Sequence, residues 1–228
     1  MNETDKTNKL RGSKFFEEYL SGKLIDIGAG KDLVCKWAER FDIEDGDANF
    51  ITKYRQKESY DTVHSSHCLE HMFHPQDALK EWWKLVKPNG YLIVVVPDEN
   101  LYEQGIWPSN FNSDHKNTFR LDAETSWSPV SHDIKKLFES LPNSEIISTQ
   151  KHDAFYNYKF QFNHLMQIGK KPIWFKLIAK ILIKIVPIQR NKLKKMIDQY
   201  AFVHFHVPMD QTKYEATAQI QVIVRKAQ

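Results

Sequence analysis

Short apolar runs alternate along this chain with longer segments that mix apolar and polar residues, which is the pattern of a sheet flanked by helices. The run Tyr91–Val96 (YLIVVV) is apolar almost throughout, so it predicts a central parallel strand covered on both faces. Lys23–Ile27 and Tyr60–Ser66 predict two more strands, and the alternating run Ala218–Lys226 predicts the last one. The predicted fold class is therefore α/β, a doubly wound and mostly parallel sheet, with the last strand a candidate antiparallel insertion near one edge.

Helices are predicted between these strands. Pro75 opens one of them, because proline suits the first position of a helix, and Leu79, Trp82 and Leu85 form its apolar stripe. The remaining predicted elements are helices at Lys14–Ser21, Asp32–Glu39 and Ser131–Leu141, strands at Arg40–Ile43 and Glu145–Gln150, and a long loop at Glu99–Thr118.

A glycine pair follows the first predicted strand, in the stretch Lys23–Gly30 (KLIDIGAG). Gly28 and Gly30 have no Cβ, so the backbone there can turn sharply and approach a ligand closely. The carboxyl edge of a parallel sheet is also where open α/β folds bind nucleotides. The stretch is a candidate nucleotide-binding loop, with an ordinary turn as the alternative.

The block Tyr60–Asp98 extends this pattern. It has a strand that ends in Ser-Ser, then Leu-Glu-His, a helix, Lys-Pro-Asn-Gly and an apolar strand that ends in Pro-Asp. Together with the glycine loop, this block resembles class I S-adenosylmethionine-dependent methyltransferases, especially the methyltransferase type 11 group. The strings PDENLYEQG, NSDHKNTF and DQTKYEATAQI are similar to those of small methyltransferases from bacterial surface-polysaccharide clusters.

The resemblance implies S-adenosyl-L-methionine as cofactor and a Rossmann-like domain around it. Asp42, at the end of the second strand, would receive the ribose hydroxyls because a carboxylate accepts two hydrogen bonds, and Asp45 is its rival. Asp47 would accept from the adenine amine. The implied cofactor-binding set is Asp26, Gly28, Ala29, Gly30, Asp42, Asp45, Asp47, Ala48, Ser65, Ser66 and His67.

Two features depart from the family pattern. Asp32 stands where the third glycine of the loop is usual, so the loop should close differently. The stretch between Asp42 and Asp61 is too short for a helix and a strand, which predicts a sheet trimmed at one edge.

An oxygen acceptor must lose a proton during methyl transfer, which requires a positioned base. His67 follows the fourth strand of the resemblance, and His115 lies in the long loop where acceptor specificity usually resides. For each, packing or solvent exposure is an equal alternative, and Glu70 and His71 are interpreted as structural caps. Metal-ligand spacing is not recognised, so no metal is predicted. The candidate substrate-binding residues are Asp98, Glu99, Tyr102 and Asp114.

A basic, apolar insertion at 154–200 precedes the last strand and is predicted to be helical. Within Pro172–Val186, Lys176, Lys180 and Lys184 recur every four residues among Ile, Leu, Trp, Phe and Val. The run is short for spanning a bilayer. A helix that is apolar over most of its girth needs a partner, so it predicts packing on the domain, a homodimer contact or membrane-surface binding.

The composition also indicates the cellular compartment of the protein. Cys35 and Cys68 are the only cysteines, which argues against a disulfide scaffold and fits a reducing environment. Residues 1–12 are polar, predicting a flexible tail ahead of a domain at 13–228 and no signal peptide. We therefore expect a cytoplasmic protein, with a peripheral location at the inner face of the membrane as the alternative if the basic helix meets lipid. A net charge of +3 is too small to indicate nucleic acid.

The predicted function is O-methylation of a sugar or sugar-linked small molecule in surface-polysaccharide biosynthesis, for example of a capsule, with that glycan as acceptor. A catalytically silent methyltransferase-like partner subunit is the main alternative. A nicotinamide-dependent oxidoreductase is disfavoured by the incomplete glycine loop.

Overall fold

The computed structural model describes residues 2–185 and 190–228. The strands are β1 (Leu24–Ile27), β2 (Glu39–Phe41), β3 (Tyr60–Ser66), β4 (Val86–Pro97), β5 (Thr118–Arg120), β6 (Ser131–Asp133), β7 (Ser144–His152) and β8 (Gln219–Lys226). The helices are α1 (Glu3–Leu10), α2 (Ser13–Tyr19), α3 (Pro75–Leu85), α4 (Ile134–Glu139), α5 (Ile173–Ile185) and α6 (Arg190–Phe205).

The main sheet has the order β2-β1-β3-β4-β8-β7, and its first four strands are parallel. β8 runs antiparallel to both β4 and β7, so the predicted antiparallel insertion is confirmed, one position in from the edge. Leu92–Val96 in β4 is fully buried, as expected for a strand covered on both faces. This doubly wound, mostly parallel sheet confirms the predicted fold class.

The first crossover differs from the prediction, because the segment Asp32–Glu39 forms loops, bends and one turn instead of a helix, and its last residue already belongs to β2. Side chains from outside the segment hold its backbone. The Val34 N–H donates to Asp26 at 2.7 Å, and its carbonyl accepts from Asn8 at 2.9 Å. These bonds take donors and acceptors that a helix would need. The trimmed edge is present, since only a 3₁₀ turn, Ala48–Lys53, lies between β2 and β3.

The N-terminal segment was expected to be a loose tail, and it forms α1 instead. Lys6 is buried, and its ammonium donates to the carbonyls of Thr212 and Ala216 at 2.8 and 3.2 Å. Arg11, just after α1, donates to Gln221 of β8 at 2.6 Å. Cationic side chains therefore anchor this segment, and a search for apolar periodicity does not detect them.

The segment Ser131–Leu141 also differs in part. Its first three residues form β6, which pairs with β5 in a small parallel ribbon, and the helix α4 begins only at Ile134. Asp133 ends the strand and caps the helix by accepting from the Lys136 N–H at 3.2 Å.

The predicted insertion at 154–200 contains α5 and most of α6, which continues to Phe205. Phe175 of α5 stacks on Tyr200 of α6, with ring centroids 5.6 Å apart, and Lys171 pairs with Asp198 at 2.6 Å. Val186, the end of the predicted apolar run, lies outside the described residues. Among the residues that are described, no helix has the length and apolar character needed to cross a bilayer.

Candidate active site

A cavity of about 610 Å³ opens at the carboxyl ends of β1, β2 and β3. This volume lies within the range of small-molecule sites. Three residues that were predicted to bind the cofactor line it at the ends of these strands. Gly28 follows β1, Asp42 follows β2 and His67 follows β3. The lining residues are Gly28, Phe41, Asp42, Ile43, Gly46, Asp47, Ala48, Asn49, His67, Cys68, His71, Met72, Phe73, Asp114 and Lys116.

Gly28 is the glycine of the predicted loop that lines this cavity. Its φ is +74°, and a Cβ there would lie 2.5 Å from the Cβ of Cys68, so a larger residue would collide and be strained. Gly30 also has a positive φ of +58°, but neither it nor Ala29 lines the cavity. Burial raises the pKa of the Cys68 thiol, which keeps it neutral and unsuited to act as a nucleophile.

The structure distinguishes Asp42 from Asp45, the two residues predicted as alternative ligands of the ribose hydroxyls. Asp45 does not line the cavity, since its carboxylate accepts from the Asp42 N–H at 3.0 Å and from Arg40 at 2.9 Å. Asp42 does line it, and its Oδ1 accepts from the Ile43 N–H at 2.7 Å. Arg40 lies 3.6 Å from Asp42 Oδ2, too far for a hydrogen bond. Asp42 is therefore the carboxylate available to a ligand.

The next part of the wall is the 3₁₀ turn after β2. Asp47 caps the turn by accepting from the backbone N–H of Asn49 at 2.9 Å. Trp82 of α3 donates to the carbonyl of Ala48 at 2.9 Å, which ties the wall to the core. Asp47 and Ala48 thus lie at the cavity as predicted.

Three other predicted cofactor contacts lie outside the lining of the cavity. Asp26 is buried and accepts from the Val34 N–H, and its other oxygen lies 2.6 Å from Nδ1 of His64. Burial lowers the pKa of His64 despite this carboxylate. Ser65 donates to the carbonyl of Ile27 at 3.1 Å, and the buried Ser66 hydroxyl does not reach the cavity lining.

Beside the cavity lies a group that we call the Glu70 cluster, comprising Glu70, His67, His71 and His115. Glu70 is fully buried, and its Oε1 lies 3.5 Å from His67 Nδ1, 4.0 Å from His71 Nε2 and 3.9 Å from His115 Nε2. All three contacts are longer than hydrogen bonds. Three imidazoles therefore surround one buried carboxylate at the end of β3.

Each histidine of the cluster has its other nitrogen near an oxygen. His115 Nδ1 lies 2.6 Å from Glu103 Oε1, and His71 Nδ1 lies 2.9 Å from Asp114 Oδ2. His67 Nε2 lies 3.0 Å from the amide oxygen of Gln219.

The pKa values of two members of the cluster, His67 and Glu70, are shifted in opposite directions. Burial lowers the pKa of His67, but the carboxylates of Glu70 and Glu3 and the contact with Gln219 together raise it more, so the net pKa is above its usual value. Burial raises the pKa of Glu70, but His67, His115 and His71 together lower it more, so the net pKa is below its usual value and Glu70 stays ionised. The pair therefore favours a charged carboxylate beside a basic imidazole.

The predicted substrate residues divide in two. Asp98 and Glu99 are buried within the fold, where Asp98 caps a turn and Glu99 accepts from Thr118 at 3.0 Å. Asp114 lines the cavity, and the Tyr102 ring lies against His115, with ring centroids 5.2 Å apart. Burial raises the pKa of Tyr102, so its phenol is neutral.

Sequence reasoning interpreted Glu70 and His71 as caps and predicted no metal. The structure places His71 at the cavity and Glu70 at the centre of the cluster. In the sequence, the string Leu-Glu-His directly after a predicted strand is the feature that could have indicated these two residues as part of the site. His115 was predicted to be catalytic, and it lies behind the cavity lining instead of in it.

The cavity fits an adenosyl cofactor on its own features. Gly28, which has no Cβ and so lies close against Cys68, lines it together with Asp42, and the exposed apolar side chains of Ile43 and Phe73 border it. A carboxylate suits vicinal hydroxyls and apolar side chains suit a flat base. These features define the class as a Rossmann-like α/β domain with a nucleotide-type site at its carboxyl edge.

The family model of the methyltransferase domain matches residues 5–141, which is more than half of the chain. The chain therefore belongs to the methyltransferase domain family, and its cofactor is S-adenosylmethionine. A search of curated proteins gives no match.

Two solved structures support the fold, and a third is similar at a lower TM-score. A chain from the complex of the Haloferax volcanii Trm112 methyltransferase activator with a proposed methyltransferase matches at 10% identity and a TM-score of 0.51, covering 99% of this chain and 90% of that one. A proposed sarcosine dimethylglycine methyltransferase from Galdieria sulphuraria matches at 11% identity and 0.50, covering 99% and 84%. A SAM-dependent methyltransferase from Archaeoglobus fulgidus matches at 16% identity and 0.49, covering 98% and 94%.

Proposed function

We propose that this methyltransferase transfers a methyl group to an oxygen, namely a hydroxyl of a sugar or sugar-linked small molecule. The observation that carries the proposal is the Glu70 cluster, because a hydroxyl must lose a proton and the cluster places histidines at the cavity wall. Asp114 and Lys116 add a polar wall suited to a hydroxylated acceptor. The resemblance to methyltransferases of surface-polysaccharide clusters supports the sugar.

The roles of the residues follow from their positions. Gly28, Asp42 and Asp47 would hold S-adenosylmethionine, which when bound supplies a methyl group on a sulfonium whose sulfur keeps the bonding electron pair. His71 borders both the cavity and Glu70, so it lies where an acceptor proton must leave. Asp114 holds the other nitrogen of that ring and sets its orientation.

The silent-subunit alternative is not favoured. Such a subunit has no need of an open cavity lined by a carboxylate at the end of β2, and the chain retains both.

Transfer of labelled methyl from S-adenosylmethionine to a panel of nucleotide-linked sugars and matched amino sugars tests the proposal. We expect S-adenosylhomocysteine to form in step with a labelled sugar ether. Transfer to the amine alone, or to none of the panel while S-adenosylhomocysteine binds, would contradict oxygen methylation of sugars.

We also propose that α5 binds an anionic membrane surface, where a lipid-linked acceptor would be presented. One side of α5, with Phe175, packs on the protein, whereas Ile173, Trp174 and Ile181 are each more than half exposed. Lys176, Lys180 and Lys184 border this apolar face, and ten basic residues with no acid lie between 159 and 195. Apolar area with flanking lysines is the composition of helices that bind anionic headgroups.

Co-sedimentation with vesicles should detect this binding. The wild-type chain is expected to pellet with phosphatidylglycerol vesicles and to stay in solution with phosphatidylcholine vesicles. Changing Lys176, Lys180 and Lys184 to glutamate should abolish pelleting, whereas the same change at the exposed Lys53, Lys57 and Lys80 should not. Equal pelleting of both triple variants, or a dimer in place of lipid binding, would rule the proposal out.

A further inference from the structure

A buried carboxylate without hydrogen-bond partners lies at the centre of the Glu70 cluster. Glu70 is fully buried, and neither of its oxygens has a hydrogen-bond partner. An ionised carboxylate in such a place is costly unless it is paired or coordinates a cation. The only basic groups within 4.0 Å, among the residues that the structure describes, are the three imidazoles.

Two of those imidazoles present lone pairs to this carboxylate. His115 Nδ1 is held by Glu103 at 2.6 Å and His71 Nδ1 by Asp114 at 2.9 Å, so in the neutral ring each Nδ1 carries the proton. Their Nε2 atoms, which face Glu70, are then free acceptors. A carboxylate on the far nitrogen is the arrangement that orients histidine ligands at metal centres.

The three donor atoms also converge. One ligand atom each from Glu70, His71 and His115 lies within 4.8 Å of the others. Donors on a tetrahedral Zn²⁺ ion are roughly 3.4 Å apart, so side-chain movements of about 1 Å would close the site. We propose that Glu70, His71 and His115 bind a first-row divalent transition-metal ion of the Zn²⁺ class, with His67 as the nearest further donor.

The surrounding charge agrees with a divalent cation. Glu70, Glu103 and Asp114 bring three carboxylates to the cluster, and Lys116, which lies 3.5 Å from Asp114, is the ammonium beside them. Glu103 Oε2 is likewise buried without a partner. The rival arrangement is protonation of the histidines, which would neutralise the carboxylates without a metal.

The donor set selects the kind of ion. Two or three imidazole nitrogens with one carboxylate suit zinc and its neighbours, whereas Mg²⁺ and Ca²⁺ prefer oxygen ligands. His71 borders the cavity, so an acceptor hydroxyl could bind the same ion, which would lower the pKa of the hydroxyl and release its proton to water. This last step rests on the proposed function, whereas binding of the ion does not.

Titration of the untagged full chain with Zn²⁺, and separately with Co²⁺ as a spectroscopic probe, tests the site. We expect one Zn²⁺ per chain by calorimetry and visible Co²⁺ absorption bands from nitrogen coordination. Glu70→Gln and His115→Ala should each weaken Zn²⁺ binding by more than about 100-fold, and Glu103→Gln by about 10- to 100-fold. His74→Ala, an exposed histidine three residues from His71, should change nothing.

Circular dichroism of each variant identifies any that fail to fold, and His71→Ala provides a second ligand variant for that case. No stoichiometric Zn²⁺ uptake, equal affinity in Glu70→Gln, or equal competition by Mg²⁺ would overturn the site. S-adenosylhomocysteine is titrated into the same preparations. If S-adenosylhomocysteine binds and Zn²⁺ does not, the metal site is contradicted and the proposed function is not. If Zn²⁺ binds and S-adenosylhomocysteine does not, only the proposed function is contradicted.

Discussion

Replacing Asp42 with alanine is expected to weaken the binding of S-adenosylhomocysteine by about 10- to 100-fold. Asp42 is the carboxylate that lines the cavity after β2, and Arg40 does not hydrogen-bond to it. Losing one hydrogen bond to a charged acceptor costs about 1.5–3 kcal/mol, and each 1.4 kcal/mol corresponds to about tenfold in Kd. Isothermal titration calorimetry with the demethylated cofactor measures the change directly, without knowledge of the acceptor.

Asp45 provides a matched control. Its carboxylate holds the Asp42 N–H and Arg40 and does not line the cavity. Asp45→Asn keeps an oxygen for the Asp42 N–H, so cofactor affinity should stay within about twofold of wild type. A larger loss of cofactor affinity in Asp45→Asn than in Asp42→Ala would show that Asp45, and not Asp42, binds the cofactor.

The sheet could be predicted because its strands carry their own signals. Tyr60–Ser66 was predicted with the bounds that the structure has, since alternation of apolar and polar residues depends on one strand and its two faces. Gly28 was predicted for the same kind of reason, as its lack of a Cβ is needed locally. Asp42 was implied by the family resemblance, through its place at the end of the second strand, although only the structure separated it from Asp45.

The rest depended on contacts between distant parts of the chain. The segment Asp32–Glu39 has helix-like spacing, but Asp26 and Asn8 capture its backbone groups. The N-terminal helix is held by Lys6 on carbonyls near the other end of the chain. Buried cationic anchors of this kind leave no periodic trace.

The Glu70 cluster could not be predicted from the sequence for the same reason, because it is formed by distant parts of the chain. Glu70 and His71 lie on one turn, and His115 comes from the loop after β4. The loop is positioned by the backbone, because the N–H groups of Lys116 and Asn117 both donate to the Glu70 carbonyl at 2.9 and 3.1 Å. Metal-ligand spacing along the sequence therefore cannot reveal a group that two segments assemble in space.

Replacing His71 with alanine is expected to lower turnover by about 100-fold or more while the affinity for S-adenosylhomocysteine stays unchanged. The His71 ring borders the cavity, and its Nδ1 is held by Asp114, so its Nε2, 4.0 Å from Glu70, is the ring nitrogen that can take up the proton of an acceptor hydroxyl. Initial rates with the acceptor found in the labelled-methyl panel, together with calorimetry, measure the two quantities.

The exposed His74 is the control, since it lies three residues away and its side chain does not cap α3. His74→Ala should keep wild-type turnover. A base and a metal ligand both give the loss at His71, and the Zn²⁺ titration separates them, because only a ligand variant also loses the ion. Unchanged turnover in His71→Ala, with the acceptor methylated as in wild type, would return His71 to a structural role and leave His67 as the histidine at the cavity that could activate the hydroxyl.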